Sequence, residues 1–143
     1  MYVETILRNK GNTVIVVEPE CVISKAAQIL HDNRIGAALV RDEANKVVGV
    51  ISERDIVRGL ARYREACLGM TVASLMTSPV VSCAPTDTID HIMGLMTERR
   101  VRHLPVMDHG RLAGIVSIGD VVKERISEIE HESEALKRYI VAG

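Results

Sequence analysis

Apolar residues along the chain follow two spacings, one typical of strands and one typical of helices. Short β-branched runs predict strands at TVIVV and PVVSC, and further strands are predicted at IGAALV, VRHLPVM, KVVGVIS and RLAGIVS. Apolar residues three and four positions apart predict helices at VISKAAQILHDNR, TIDHIMGLMTERR, ERDIVRGLARYREA and GDVVKERISEIEHESEALKRYI. The predicted order of elements is therefore β-α-β-β-α, and it occurs twice.

The two halves of the chain are copies of one unit. A shift of 66 residues aligns Pro19 with Pro85, and a shift of 65 after the next turn aligns Gly49 with Gly114. A short helix precedes each copy, at VETIL and at VASLM, and we expect Thr71 to cap the second. The predicted division is a first repeat over 1–66 with the N-terminal helix, a second over 67–130, and a helical tail over 131–143.

One repeat alone offers a three-stranded sheet and two helices, which is too little to bury a stable core. We therefore expect an α/β (α+β) fold in which the two repeats pack sheet to sheet around a pseudo-twofold axis. Such packing would cover the apolar face of both sheets.

Composition excludes several classes of function. The 143 residues carry a net charge of −1, with three Tyr and no Phe or Trp, so neither a basic field nor a stacking platform for nucleic acid is expected. The apolar runs are too short to span a membrane, and the N-terminus lacks a secretory signal. Three cysteines without C-x-x-C spacing argue against a disulfide framework or a zinc site and are typical of the cytoplasm.

A short motif recurs at the same place in each repeat. GVISERD, residues 49–55, and GIVSIGD, residues 114–120, both read Gly, two apolar residues, Ser, two others, Asp. The simplest interpretation is a capping box, in which the serine hydroxyl accepts a hydrogen bond from a helix-start N–H. Capping alone does not explain why the preceding helix and strand pair also repeat.

These features together resemble a tandem pair of CBS domains, often called a Bateman module. The resemblance rests on the two Gly-x-x-Ser-x-x-Asp segments, on RHLPV before the second, and on the repeated β-α-β-β-α order, and it covers nearly the whole chain. It implies adenine nucleotides bound in clefts between the repeats, and dimers shaped as a flat disc. No catalytic domain is expected beside the pair, so the chain resembles a stand-alone CBS protein.

The chemistry of the motif fits a nucleotide. A hydroxyl beside free helix N–H groups suits phosphate, so Ser52 and Ser117 are candidate phosphate ligands. A carboxylate one turn further in can accept both hydroxyls of a ribose diol, which assigns Asp55 and Asp120 to ribose.

Further candidates flank the motif in both repeats. Arg102 and His103, expected on a strand facing the cleft, and Arg54 at a helix start are candidate phosphate ligands, although a surface salt bridge is nearly as good an interpretation of Arg54. Ile51, Val101 and Val116 are candidate adenine contacts, though each is first a core residue. The full candidate set is Gly36, Ala37, Ile51, Ser52, Arg54, Asp55, Val101, Arg102, His103, Val116, Ser117 and Asp120.

The sequence contains no recognisable enzyme motif. It has neither a P-loop nor a G-x-G-x-x-G turn after a strand, and its five histidines lack metal-ligand spacing. We therefore expect a non-catalytic sensor that binds AMP, ADP, ATP or NAD(H), with AMP favoured, and signals to an effector protein. The alternative is a constitutive interaction scaffold that binds no ligand.

The C-terminal helix carries an apolar stripe beyond the second repeat. From Ile126 the apolar residues continue at 129, 136, 139 and 140, interrupted at Ser133. An apolar stripe of this kind must be buried against something. We expect it to contribute to a symmetric homodimer, and the alternative is that it folds back on its own chain.

Overall fold

A computed structural model describes residues 1–11 and 13–142. The chain forms two compact units, which we name by the carboxylate that each contains. The Asp55 unit covers Thr13–Val81. The Asp120 unit combines the N-terminal residues up to Gly11 with the described residues from Ser82 onward.

The Asp55 unit contains three strands, three α-helices and a 3₁₀ segment. Along the chain they are β1 (Val16–Val17), α2 (Ile23–Asn33), β2 (Ala37–Arg41), β3 (Val47–Ser52), α3 (Glu53–Tyr63), the 3₁₀ segment (Arg64–Gly69) and α4 (Val72–Leu75). The helix numbering begins with α1 (Val3–Lys10), which belongs to the other unit.

The sheet of the Asp55 unit has the order β1-β2-β3. β1 runs parallel to β2, and β2 runs antiparallel to β3, which places Ala37 opposite Ser52. The buried core of this unit lies between the sheet and its helices and includes Val17, Ile23, Leu30, Val40, Ile51 and Val72. The sequence pattern predicted a longer first strand at TVIVV, but only its last two residues join the sheet.

The Asp120 unit contains α1, α5 (Ile89–Arg99), β4 (His103–Asp108), β5 (Arg111–Ser117) and α6 (Ile118–Ala142). Its sheet consists of the antiparallel pair β4-β5, with His103 opposite Ser117. The strand expected at PVVSC does not form, and only Cys83 makes an isolated parallel bridge to Val106. Pro79 has no N–H to donate, so the start of that segment is poorly suited to a hydrogen-bonded ladder.

The short helices that precede the two repeats do not follow the expected sequence division. Helix α1 packs in the Asp120 unit, where Val3 and Ile6 are buried and the Val3 N–H donates to Asp87 O (2.9 Å). Helix α4 packs in the Asp55 unit, beside β3. Each unit therefore contains the short helix expected to lead into the other repeat, so 1–66 and 67–130 are not the compact bodies of the fold.

Gly49 in β3 and Gly114 in β5 leave room for side chains at the short helices that pack beside these strands. A Cβ atom added at Gly114 would lie 2.6 Å from Leu7 Cδ2, and one added at Gly49 would lie 2.5 Å from Met76 Sδ. Close contact between strand backbone and a neighbouring side chain is a common reason for glycine inside a strand. The glycine of each recurring motif is thus explained by packing.

Two features of the helix ends and lengths complete the fold. Thr71 occupies the position before α4, but it makes no side-chain cap hydrogen bond, contrary to our expectation. Helix α6 is continuous over 25 residues, so the predicted tail is an extension of the helix that begins at the second motif. Within the described residues no helix is both long and apolar enough to cross a membrane.

Candidate functional site

In each recurring motif the serine is the last residue of a strand, and a helix begins at the next residue. Ser52 ends β3 in an extended conformation and α3 begins at the next residue; Ser117 ends β5 and α6 begins at the next residue. The serine is therefore held at its place by the sheet on one side and by the helix on the other. This rigidity suits a residue that has to present a hydroxyl at a fixed position.

The serine and the aspartate bond to each other reciprocally in both units. The Ser52 N–H donates to Asp55 Oδ2 (2.9 Å) and the Asp55 N–H donates to Ser52 Oγ (3.2 Å). The matching distances are 2.9 Å and 3.1 Å for Ser117 and Asp120. Both motifs are thus capping boxes, as the simplest interpretation of the sequence predicted, and the capping role accounts for both residue types.

A second backbone contact also repeats and brings further candidates to the helix start. The Glu53 N–H donates to Gly36 O (2.9 Å), and the Ile118 N–H donates to Arg102 O (2.8 Å). These bonds hold the residue before the second strand of each repeat beside the first turn of the following helix. Gly36 and Arg102 are therefore equivalent neighbours of the two motifs, although their side chains differ completely.

The Asp55 carboxylate has hydrogen-bond partners on both oxygens. Oδ2 accepts from the backbone and the hydroxyl of Ser52, and Oδ1 accepts from Thr77 Oγ1 (3.1 Å). The Arg58 guanidinium adds an ion pair to Oδ1 at 3.6 Å, and Asp55 is only 5% exposed. This carboxylate is committed to holding its own unit together, and a ribose would have to replace some of these partners.

The Asp120 carboxylate has a different environment. Its Oδ2 accepts both from the Ser117 N–H and from Lys10 Nζ at 2.7 Å, and its side chain is 24% exposed. Burial raises the pKa of Asp120, but the Lys10 ammonium and the hydrogen bonds from Ser117 outweigh it, so the pKa lies below its usual value. The group is therefore ionised and partly accessible at neutral pH.

Lys10 was not a candidate in the sequence, and its position follows from the packing of α1. The side chain comes from the last residue of α1, and its Nζ also donates to Ile115 O at 3.0 Å. The separation of 110 residues between Lys10 and Asp120 leaves no local spacing signal. In the Asp55 unit, the neutral hydroxyl of Thr77 contacts the equivalent carboxylate instead.

The other candidate phosphate ligands lie near the helix starts with different exposure. Arg102 lies exposed in a bend just before β4, so it is not the strand residue that we expected, whereas His103 begins that strand and is half-buried. Arg54 is exposed in the first turn of α3.

Burial separates the candidate base contacts into two groups. Ile51 and Val116 are 0% exposed, so they are core residues, as the sequence also indicated, and their contact with adenine stays a prediction. Ala37 is buried as well, at 7% exposure. Gly36 and Val101 are half-buried and keep some accessible surface.

Comparison with known proteins identifies the fold. The family model of the CBS domain matches residues 10–62 and again residues 72–127. The chain belongs to the CBS-domain family. The first match ends and the second begins on either side of the 3₁₀ segment, and both recurring Ser-x-x-Asp motifs lie within the matches.

Solved structures of other CBS-domain proteins are similar over most of the chain. A CBS-domain protein from Agrobacterium tumefaciens is 45% identical with a TM-score of 0.84, covering 87% of this chain and 92% of that chain. One from Pyrobaculum aerophilum, solved with AMP, is 26% identical with a TM-score of 0.78, covering 93% and 99%. A CBS-domain pair solved with 5′-methylthioadenosine and S-adenosyl-L-methionine is 27% identical with a TM-score of 0.79, covering 90% and 98%.

Proposed function

We propose that this CBS pair is a non-catalytic regulatory module that binds an adenosine-containing ligand at its Ser-x-x-Asp segments. The observation that carries the proposal is the partly exposed Asp120 carboxylate, held beside a serine hydroxyl at the start of a long helix. The ligands in the solved relatives, AMP in one and two S-adenosyl compounds in another, share the adenosine group. A ribose diol is the feature of that group that a carboxylate recognises.

The two Ser-x-x-Asp segments are proposed to differ in affinity. Asp120 uses Oδ2 for its contacts to Ser117 and Lys10, and it has solvent-exposed surface for a further donor. Asp55 has partners on both oxygens and is nearly buried. We therefore assign the stronger ribose contact to Asp120, with Asp55 contributing a weaker one after local rearrangement.

The phosphate of a nucleotide would lie near the helix starts. Ser117, Arg102 and His103 are the proposed ligands in the Asp120 unit, and Ser52 with Arg54 are those in the Asp55 unit. A helix N-terminus favours an anion through its unpaired N–H groups and its dipole. Adenine is proposed to contact Gly36 and Val101, which retain accessible surface.

Among adenine nucleotides we favour AMP, with ADP, ATP and NAD(H) in the same class. Ligand binding regulates a partner only if the ligand prefers one of two conformations, so the effector protein must distinguish the bound from the free form. We propose that the module acts as a homodimer in the cytoplasm, where its three free cysteines stay reduced.

A ligand panel tests the proposal. Thermal unfolding is followed with AMP, adenosine, S-adenosyl-L-methionine and 3′-deoxyadenosine monophosphate, each over a range of concentrations. AMP at a hundredfold its Kd is expected to stabilise the fold by about 2.7 kcal/mol, and the 3′-deoxy compound much less because it lacks half of the diol. A protein that none of the four stabilises would be the ligand-free scaffold instead.

A further inference from the structure

The outward face of α6 carries a regular apolar stripe. The residues Val122, Ile126, Ile129, Leu136 and Ile140 recur with alternating spacings of four and three once Ser133 is included as a member. Their exposed fractions are 43%, 52%, 53%, 60% and 67%. This pattern is the a/d repeat of a coiled coil, with Ser133 as its one polar layer.

The helix contacts its own unit through a different side. Val121 is fully buried, Arg125 forms ion pairs with Asp90 (3.3 Å) and Glu128 (3.1 Å), and Glu128 binds the N-terminal ammonium at 3.1 Å. From Glu130 to Ala142 every residue is exposed. The interpretation that the tail folds back on its own chain therefore does not describe the stripe.

Charges beside the stripe distinguish the two directions in which a second copy can pair. The flanking positions are Arg125 and Glu132 on one side, and Lys123, Glu130 and Lys137 on the other. In a parallel pair, each residue on the Arg125 and Glu132 side meets the residue five positions later on the second side of the other copy. Glu132 then faces Lys137, and Arg125, which also pairs with Asp90 and Glu128 of its own chain and is 43% exposed, faces Glu130. The twofold symmetry forms each of these attractive pairs twice.

An antiparallel pair brings like charges together instead. If the antiparallel pair keeps the same apolar layers in contact, Lys123 lies opposite Lys137 of the second copy. Glu130 then lies opposite Glu130, and Glu132 opposite Glu132. Like charges in these positions disfavour a pairing and set partner orientation. We propose that α6 pairs with α6 of a second copy of this chain as a parallel, in-register coiled coil spanning Val122–Ile140. This extends the proposed homodimer and is independent of its nucleotide.

Disulfide trapping tests the direction of the pair. In a Cys21→Ser background, Ile140→Cys places two thiols in one layer of a parallel pair, whereas in an antiparallel pair they would lie ~27 Å apart. Val141→Cys, one residue further and on the outer side, is the matched control. Rapid intermolecular disulfide formation by the first and not by the second is expected. Equal trapping of both, or of neither, would overturn the proposal.

A charge reversal gives an independent readout by analytical ultracentrifugation without nucleotide. Lys137→Glu is expected to weaken the dimer about fivefold, since it turns two attractive pairs repulsive, and Glu132→Lys in addition is expected to restore it. In an antiparallel pair Lys137→Glu would face Lys123 and tighten the dimer, which contradicts the proposal, as does a wild-type monomer at tens of micromolar. Because no ligand is present, failure of the nucleotide proposal leaves both readouts unaffected.

Discussion

The ammonium of Lys10 lies 2.7 Å from Oδ2 of Asp120, and these two residues are 110 positions apart in the chain. The ion pair joins the end of α1 to the first turn of α6 within the Asp120 unit. It also gives the two otherwise equivalent aspartates different surroundings, because Asp55 contacts Thr77 in place of a lysine. The close cation of Asp120 comes from a helix distant in the chain, whereas the guanidinium near Asp55 is that of Arg58 on its own helix, at 3.6 Å. The alignment of the two repeats does not reveal this difference.

Replacement of Lys10 by methionine tests this ion pair through its pH dependence. The lowered pKa of Asp120 means that the carboxylate stabilises the fold above the ordinary value of 3.8, and that this stabilisation is lost as the pH falls below it. Lys10→Met is expected to lower the stability by about 1 kcal/mol or less at pH 7, since the pair is partly exposed. Urea unfolding at pH 7 and pH 3 measures the difference.

The difference in the free energy of unfolding between Lys10→Met and the wild type is expected to be smaller at pH 3 than at pH 7. Lys25→Met on α2, an exposed lysine, serves as the control and should show little change at either pH. A Lys10→Met effect of the same size at both pH values would show that packing of the side chain, and not its charge, stabilises the unit.

Removal of the two motif carboxylates is expected to affect stability unequally. Asp55→Ala leaves the Ser52 N–H and the Thr77 hydroxyl without their acceptor near the buried core, and should cost roughly 2–3 kcal/mol. Asp120→Ala leaves a more accessible site and should cost roughly 1 kcal/mol. Denaturant unfolding of both variants measures the two losses in stability. Equal losses would contradict the claim that Asp55 contributes more than Asp120 to the stability of the fold.

Glycine 114 is expected to be intolerant of even one added methyl group. In Gly114→Ala the new Cβ would lie 2.6 Å from Leu7 Cδ2, so the packed Leu7 side chain must move, at a cost of roughly 1–3 kcal/mol. Gly94→Ala on α5 is the control, because nothing lies within 4 Å of its Cβ position. Alanine there should stabilise the helix by up to about 1 kcal/mol. Thermal unfolding that ranks the two variants the other way would refute the close packing of α1 on β5.

Thiol reactivity is expected to distinguish one cysteine from the other two. Cys67 is fully buried, whereas Cys21 is half-buried. Cys83 is also buried, and this burial, together with the charge of Asp87, raises its pKa to about 12. A thiolate-selective reagent at pH 8 should therefore modify one thiol rapidly in the folded protein and three after denaturation. Rapid modification of Cys83 in the folded protein would contradict its burial.

Local patterns were sufficient to predict most of the helices and strands and both motif helices. Ser52 and Ser117 lie at the strand-to-helix junctions that the Ser-x-x-Asp spacing indicated, because capping depends only on neighbouring residues. The family prediction is confirmed, since it rested on two such motifs in register.

Long-range packing is what the sequence pattern did not reveal. Whether α1 and α4 pack in one unit or the other depends on which apolar surface buries Val3 and Val72. The spacing of apolar residues shows that a helix has a buried face, but it does not show which element covers that face. For the same reason the sequence pattern did not indicate the contact of Lys10 with Asp120, whereas it did indicate that Ile51 and Val116 are core residues. The capping bonds of Ser52 and Ser117 could be predicted from local sequence, whereas a tertiary contact such as that of Lys10 with Asp120 could not.

The central claim is that Asp120 binds the ribose of an adenine nucleotide, and isothermal titration with AMP tests it most directly. Wild type and the Asp55→Ala and Asp120→Ala variants are titrated at pH 7.5, after circular dichroism has shown that each is folded. Asp120→Ala is expected to weaken AMP binding by about 1.5–3 kcal/mol, or roughly 10- to 150-fold, with a smaller loss for Asp55→Ala. Unchanged AMP affinity in Asp120→Ala, alone and combined with Asp55→Ala, would contradict the account.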